Sequence, residues 1–264
     1  MAHQTLEELA FEVMAIRLAF LIIPNITGAV HVMANPCYSY HTEKIVETGE
    51  RLHKMCNLLD PAFDTNRCVM KVAATWEGLQ TCRQLALCGI KTLATTVFTT
   101  EQVILAGEAG CVSMSPFVHE AKSHFDEKYS DEMPLLRLCV QVQQLYKKRS
   151  INTKVKACAM LSVDEILHLA GVDALTILPE DLDKLQKGTG CVRLVEYQYL
   201  FGGNSMSDHS DYPSYLDDES TYRLDFARSG QGKGQYKLMQ VVAIFSDFQF
   251  KGEQFMKAHQ ETLH

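Results

Sequence analysis

Lys71 is the residue of this chain with the clearest capacity for covalent chemistry. It sits in Val69-Met70-Lys71-Val72-Ala73, an apolar run that breaks at Ala74-Thr75-Trp76-Glu77 into the start of a helix. An ammonium among such neighbours in a strand is costly to desolvate, so its pKa is expected to fall toward the range where a neutral amine is available. A neutral amine can attack a carbonyl carbon and form a Schiff base. The other reading is a lysine at a strand tip whose ammonium reaches water. The local pattern leaves both open.

Other reactive residues form no comparable site. The nine cysteines are scattered, with no CxxC pair and no His-rich partner motif. An odd count without metal-ligand spacing reads as reduced, mostly buried thiols, so no zinc site and no other metal is expected. The formal charge of −7 leaves no basic field for nucleic acid. Ala19-Phe20-Leu21-Ile22-Ile23 is cut off by Pro24, well short of a membrane span, and no membrane partner is expected. The first residues lack the basic-then-apolar layout of a signal peptide, which makes the cytoplasm the expected location.

The elements that position Lys71 follow a regular rhythm. Residues 6–21 read as a helix whose apolar positions overfill one stripe, so it is expected to be well buried. A strand over 28–34 and a helix over 42–57 come next, then the lysine strand over 67–73 and a helix over 75–88 closed by Gly89. The alternation goes on with strands at 90–97, 111–115, 153–159 and 174–178 and helices at 99–109, 132–148 and 163–170. After the lysine strand each early unit takes about 20 to 25 residues, the economy of packed βα repeats. Six strands, each followed by a helix, predict an α/β fold of TIM-barrel type, incomplete, with parallel strands inside and helices outside. We assign 1–190 to this barrel, 191–234 to an irregular, loop-rich segment with a solvated charge run at Asp217-Asp218-Glu219, and 235–264 to a C-terminal helix. That helix is apolar enough that it must dock on the barrel or on a partner subunit.

Three blocks of the sequence carry a family resemblance. Lys71-Val72-Ala73-Ala74-Thr75-Trp76-Glu77-Gly78 resembles the Schiff-base lysine motif of transaldolases, aldolase-type barrels that move a three-carbon dihydroxyacetone unit between sugar phosphates. Glu108-Ala109-Gly110 with Ser115-Pro116-Phe117-Val118, and the stretch from Glu165 to Ile177, resemble two further blocks in the same order and spacing. The resemblance runs from about residue 6 to 190 and more weakly through the last helix. It implies that Lys71 is the nucleophile, that Thr95 is its retained hydroxyl partner and that Ser115 and Phe117 belong to the substrate pocket. No organic cofactor is implied, since a lysine Schiff base needs none.

The departures from the family bear directly on function. Transaldolases have two more βα units before the point where this chain starts, and their first strand carries an acid/base aspartate with no counterpart here. Met33 falls where the family has a glutamate that positions water, and Leu93 where it has an asparagine. Glu120 and Leu161 occupy the positions of the two phosphate-binding arginines, and Ala159 that of a nearby serine. A glutamate repels phosphate, so sugar phosphates are expected to bind poorly. Met33 and Leu93 should make a drier pocket, and Asn35, at the tip of the same strand as Met33, joins the candidate substrate-binding set. His31 stands where the family has a small hydroxyl residue and could supply lost acid/base function, or it could be a structural histidine. Tyr38, Tyr40 and His41 are weaker candidates in the following loop.

These residues support an enzyme in which Lys71 condenses with an unphosphorylated carbonyl compound for an aldol-type, isomerising or ring-forming step, in a specialised biosynthesis. A non-catalytic relative is the first alternative, and a transaldolase working on sugar phosphates is the second. The missing strands would leave open sheet edges, which predicts a homo-oligomer, most simply a two-fold dimer.

Overall fold

Alternation of apolar strands with amphipathic helices produces the expected parallel sheet. The computed structural model describes residues 4–188, 200–201 and 212–261. The chain begins with helix α1 (Leu6–Ile22) and continues through β1 (Val30–Met33), α2 (Thr42–Leu59), β2 (Cys68–Ala73), α3 (Trp76–Leu87), β3 (Thr92–Val97) and α4 (Thr100–Glu108). It goes on through β4 (Ser113–Pro116), α5 (Leu136–Lys148), β5 (Lys154–Ala157), α6 (Val163–His168), β6 (Ala174–Leu175) and α7 (Pro179–Lys187), and ends in α8 (Glu219–Arg228) and α9 (Lys233–Glu261). The six strands pair in sequence order, every neighbour parallel, and curl into an incomplete barrel with helices outside.

Successive residues of a strand face opposite sides of the sheet. Val32, Met70, Val72, Ala94, Met114 and Val155 point outward, where they form the main apolar core with Ile45, Leu52, Leu79, Leu85 and Leu105 of the helices. The alternate residues, among them Met33, Lys71, Leu93 and Ser113, lie side by side in register on the concave face.

The loop after β2 locks the lysine strand in place. Thr75 caps α3 by accepting a hydrogen bond from Gly78 N at 2.9 Å, and its hydroxyl donates to the Ser39 carbonyl at 2.5 Å. Gln102 is fully buried and joins two strand ends: its amide donates to the Ala74 carbonyl at 2.7 Å, and its oxygen accepts from Phe98 N at 2.8 Å. A Cβ added at Gly78 would lie 2.1 Å from the Ala73 carbonyl oxygen, which is backbone and cannot step aside. We therefore expect Gly78→Ala to push α3 off the end of β2 and to cost about 3 kcal/mol or more. An unchanged thermal midpoint would refute that close approach.

Two expectations for the outer elements need correction. Helix α1 is not buried along its apolar stripe: Leu18 is 53% and Leu21 72% exposed, while Glu8, Glu12, Ile16 and Ala19 face inward. The reason is that the inner acids have partners. Arg51 grips Glu12 with two hydrogen bonds of 2.6 and 2.7 Å, and Glu8 accepts from Asn35 and Tyr38 at 3.1 and 2.9 Å. Apolar counting cannot anticipate that pairing. In the segment 191–234, residues 191–199 and 202–211, Cys191 included, lie outside the described residues. The rest is not wholly irregular, because Glu219–Arg228 is helical. Asp218 caps α8, and Tyr222 and Phe226 stack at 5.7 Å beneath Trp76, so the charge run starts a helix rather than a loop.

Helix α9 docks on the barrel. It touches α1, the turns that follow β1 and β4, and β3, so it lies across the C-terminal ends of the strands. Leu238 and Val241 are buried there, and the Phe245 ring meets Phe117 edge-on at 6.5 Å. Phe248 and Phe255, farther along, remain largely exposed. All eight cysteines among the described residues are free thiols, and six of them are buried. Among the described residues no helix is long and apolar enough to cross a membrane.

Candidate functional site

In a barrel of tilted strands, side chains at one height shift by about one residue from each strand to the next. Applied to the observed register, this places His31, Leu93 and Lys156 in one layer, Lys71 and Ser115 in the next, and Met33, Thr95 and Cys158 in the layer above. A direct contact supports the assignment: Lys156 Nζ lies 3.1 Å from His31 Nε2, across the concave face from β5 to β1. His31 is solvent-exposed although it points into the barrel, so among the described residues the concave face is open at this flank.

Lys71 stands two residues before the end of β2, flanked in register by Met33 and Leu93. It is partly buried, and among the described residues its ammonium makes no hydrogen bond or ion pair. Nearby charges feel it. The His31 pKa is lowered to about 4, first because the inward part of the ring is shielded from water although its outer edge stays exposed, then by Lys156 and Lys71. Lys156 is itself held below the ordinary lysine range by desolvation and then by Lys71. Burial pushes the Cys158 thiol up to about 12, an effect that Lys71 and a hydrogen bond with Ser115 only partly offset. His31 is thus a neutral acceptor for Lys156 at neutral pH, which makes it a poor general acid.

Thr95 is fully buried beside Ala73, and its hydroxyl has no hydrogen-bond partner among the described residues. The Ser113 hydroxyl on the same face is likewise unpartnered. A buried hydroxyl normally finds a partner, so both are points where a ligand group could be received. The next residue, Thr96, adopts φ 60° at the bulge where β3 slips against β4. For a β-branched residue that is a strained conformation, worth of order 1–3 kcal/mol, and such strain concentrates at functional sites.

The remaining sequence candidates separate into two groups. Met33 and Leu93 flank Lys71 in register and Ser115 shares its layer, whereas Phe117 packs between Phe98 and Phe245 under α9. Asn35 is engaged elsewhere: its amide donates to Glu8 at 3.1 Å and accepts from Cys37 N at 2.9 Å, so it holds the turn after β1 against α1. Tyr38 donates to Glu8, and His41 pairs with Glu43 at the surface. Tyr40 lines a cleft of about 490 Å³ with Trp76, Tyr222 and Phe226, outside the concave face.

Glu120 does not present a free charge to the site. It is buried, accepts hydrogen bonds from Tyr129 and from Gln240 at 3.0 Å, and lies 3.7 Å from the ammonium of Lys237. Leu161 is exposed and brings no cation. Neither position offers phosphate a donor side chain. Lys156 was not foreseen from the sequence. Lys154-Val155-Lys156 put two lysines on one face of a strand, and that alternation was a usable signal, but only the strand order shows that the face is concave.

A curled parallel sheet wrapped by helices, with a lysine near the C-terminal end of one strand, is the arrangement of an aldolase-type barrel. The transaldolase/fructose-6-phosphate aldolase family model matches residues 1–211, and the chain belongs to that family. It is similar to a transaldolase of Schizosaccharomyces pombe, 30% identical over 245 residues, covering 90% of this chain and 73% of that protein. Transaldolases of Glaesserella parasuis and Edwardsiella ictaluri are 30% and 32% identical, and this chain spans 60% and 59% of their lengths. A likeness to a solved phosphodiesterase, PaMucR in its c-di-GMP complex, has a TM-score of 0.41 and 13% identity, too slight to carry an argument.

Proposed function

We propose that this protein is a Schiff-base enzyme in which Lys71 condenses with a carbonyl compound that lacks the sugar phosphate of common transaldolase substrates. Family membership supports aldolase-type chemistry. The observation that carries the altered substrate is the fate of the phosphate-binding positions, where Glu120 is tied into a buried ion-pair network and Leu161 is apolar. Phosphate binding calls for cations or convergent N–H donors, which these side chains do not supply.

The amine of Lys71 adds to the carbonyl carbon, and loss of water yields the iminium, which withdraws electrons from the adjacent carbon. Thr95 is set to bond the carbinolamine oxygen or the departing water. Without a carboxylate at Met33, aldol cleavage by the family's usual route would lose an acid/base contribution typically worth about 10²- to 10⁴-fold. The reaction therefore leans on the iminium itself. Borohydride trapping read by intact mass tests this: small neutral and carboxylated aldehydes and ketones should give adducts, and fructose 6-phosphate should not. Efficient trapping of the sugar phosphate would instead make the protein an ordinary transaldolase.

A further inference from the structure

Three basic groups converge on the open concave face. Lys156 and Lys71 act electrostatically on His31, and Lys71 acts on Lys156; among the described residues no carboxylate is one of the groups acting on His31 or Lys156. Two cations of the described core are matched by acids, Arg51 by Glu12 and Lys237 by Asp131. Lys156 has instead a neutral imidazole acceptor at 3.1 Å, which holds and orients its ammonium without neutralising it. A half-buried cation that is oriented and lacks a counterion is suited to receive an anion from the ligand.

The layer order limits what that anion can be. Lys156 occupies the layer next to Lys71 and the two ammonium groups act on each other, so an anion bound to it sits near the carbonyl that Lys71 attacks rather than at the far end of a long ligand. A ketose phosphate carries its phosphate at the far end of the sugar, where this chain has Glu120 and Leu161. A carboxylate adjacent to the carbonyl fits the spacing, and its single charge is matched by one ammonium.

Building on the imine reading above, we propose that the site takes a short oxo acid, with Lys71 forming the imine and Lys156, positioned by His31, binding the carboxylate. The step is R(C=O)CO₂⁻ plus the neutral Lys71 amine and one proton, giving the iminium and one water. The carbon–oxygen double bond is replaced by carbon–nitrogen, and nothing is oxidised or reduced. Lys156 is a specificity-determining residue here and His31 its positioning partner.

The test measures half-saturation for borohydride trapping with pyruvate, hydroxyacetone and dihydroxyacetone phosphate on wild type, Lys156→Met, Lys156→Arg and Lys71→Ala. Lys156→Met is expected to raise the pyruvate value by about tenfold or more and to leave hydroxyacetone within about twofold, with Lys156→Arg close to wild type. In wild type, propionate should compete with hydroxyacetone, a readout that needs no variant. Equal effects on pyruvate and hydroxyacetone, or none on either, would overturn the carboxylate subsite while leaving the imine intact. Tighter trapping of dihydroxyacetone phosphate, lost in Lys156→Met, would overturn it in favour of a phosphate subsite. Absence of any Lys71-dependent adduct would remove the imine reading itself.

Discussion

Lys71→Ala should abolish carbonyl trapping, by at least about 10³-fold against any substrate found, since it removes the amine that becomes covalently bound and the neighbouring Lys156 amine is engaged by His31. The same substitution should leave stability within about 1 kcal/mol or raise it. Among the described residues the Lys71 ammonium has no hydrogen bond or ion pair to lose, and it lies beside Lys156, so removal relieves like-charge repulsion and orphans nothing. A residue that costs stability yet is needed for reaction has the profile of an active-site group. Parallel measurements of trapping and thermal unfolding decide the matter. If Lys71→Ala loses several kcal/mol and wild type traps nothing, the lysine is structural and the protein is a non-catalytic member of its family.

The largest stability loss is expected at the opposite end of the molecule's charge balance, at Lys237. This α9 residue is 3% exposed, and its ammonium binds Asp131 at 2.9 and 3.1 Å and the Met133 carbonyl at 3.0 Å. Lys237→Met would leave the carboxylates of Asp131 and Glu120 buried without their cation, a change that typically costs about 3–5 kcal/mol. It would also cut the tie between α9 and the loop that carries Asp131 and Met133. Adding Asp131→Leu should recover part of the loss, because a buried pair removed together is far less harmful than one removed by half.

The pH dependence follows from the same carboxylate. Burial alone would raise the Asp131 pKa, but the Lys237 ammonium and the N–H groups of Met133 and Glu120 outweigh it and hold the group below its ordinary value. A depressed carboxylate contributes stability that is present above the unfolded pKa near 4 and is lost as pH falls through the folded value. Wild type should therefore lose stability steeply below about pH 4, and the Lys237→Met Asp131→Leu protein should show a shallower decline. Identical acid-unfolding profiles would rule out this network as the cause.

Much of the fold was legible along the chain because its signals are local. Apolar strands ending at Asn35-Pro36 or Pro116, caps such as Thr75 and Thr99, and closing glycines at 89 and 110 define βα units without reference to anything distant. Lys71 was equally visible, as one charge in an apolar strand. Helix α8 was missed because its stability comes from Tyr222 and Phe226 packing beneath Trp76 across more than 140 residues of sequence, while its own start reads as a charge run.

The tertiary structure decided which residues share the site. Asn35 stands two positions from Met33, yet Glu8 and Cys37 engage its amide, so proximity in sequence did not make it a pocket group. Lys156 lies 85 positions from Lys71 and carries no motif; it joins the site only because strand tilt brings β5 level with β1 across an open concave face. Sequence singled out the candidate nucleophile and determined the strand that carries it, since both depend on neighbours along the chain. Register and curvature chose its companions, because those depend on which strands lie opposite one another in space.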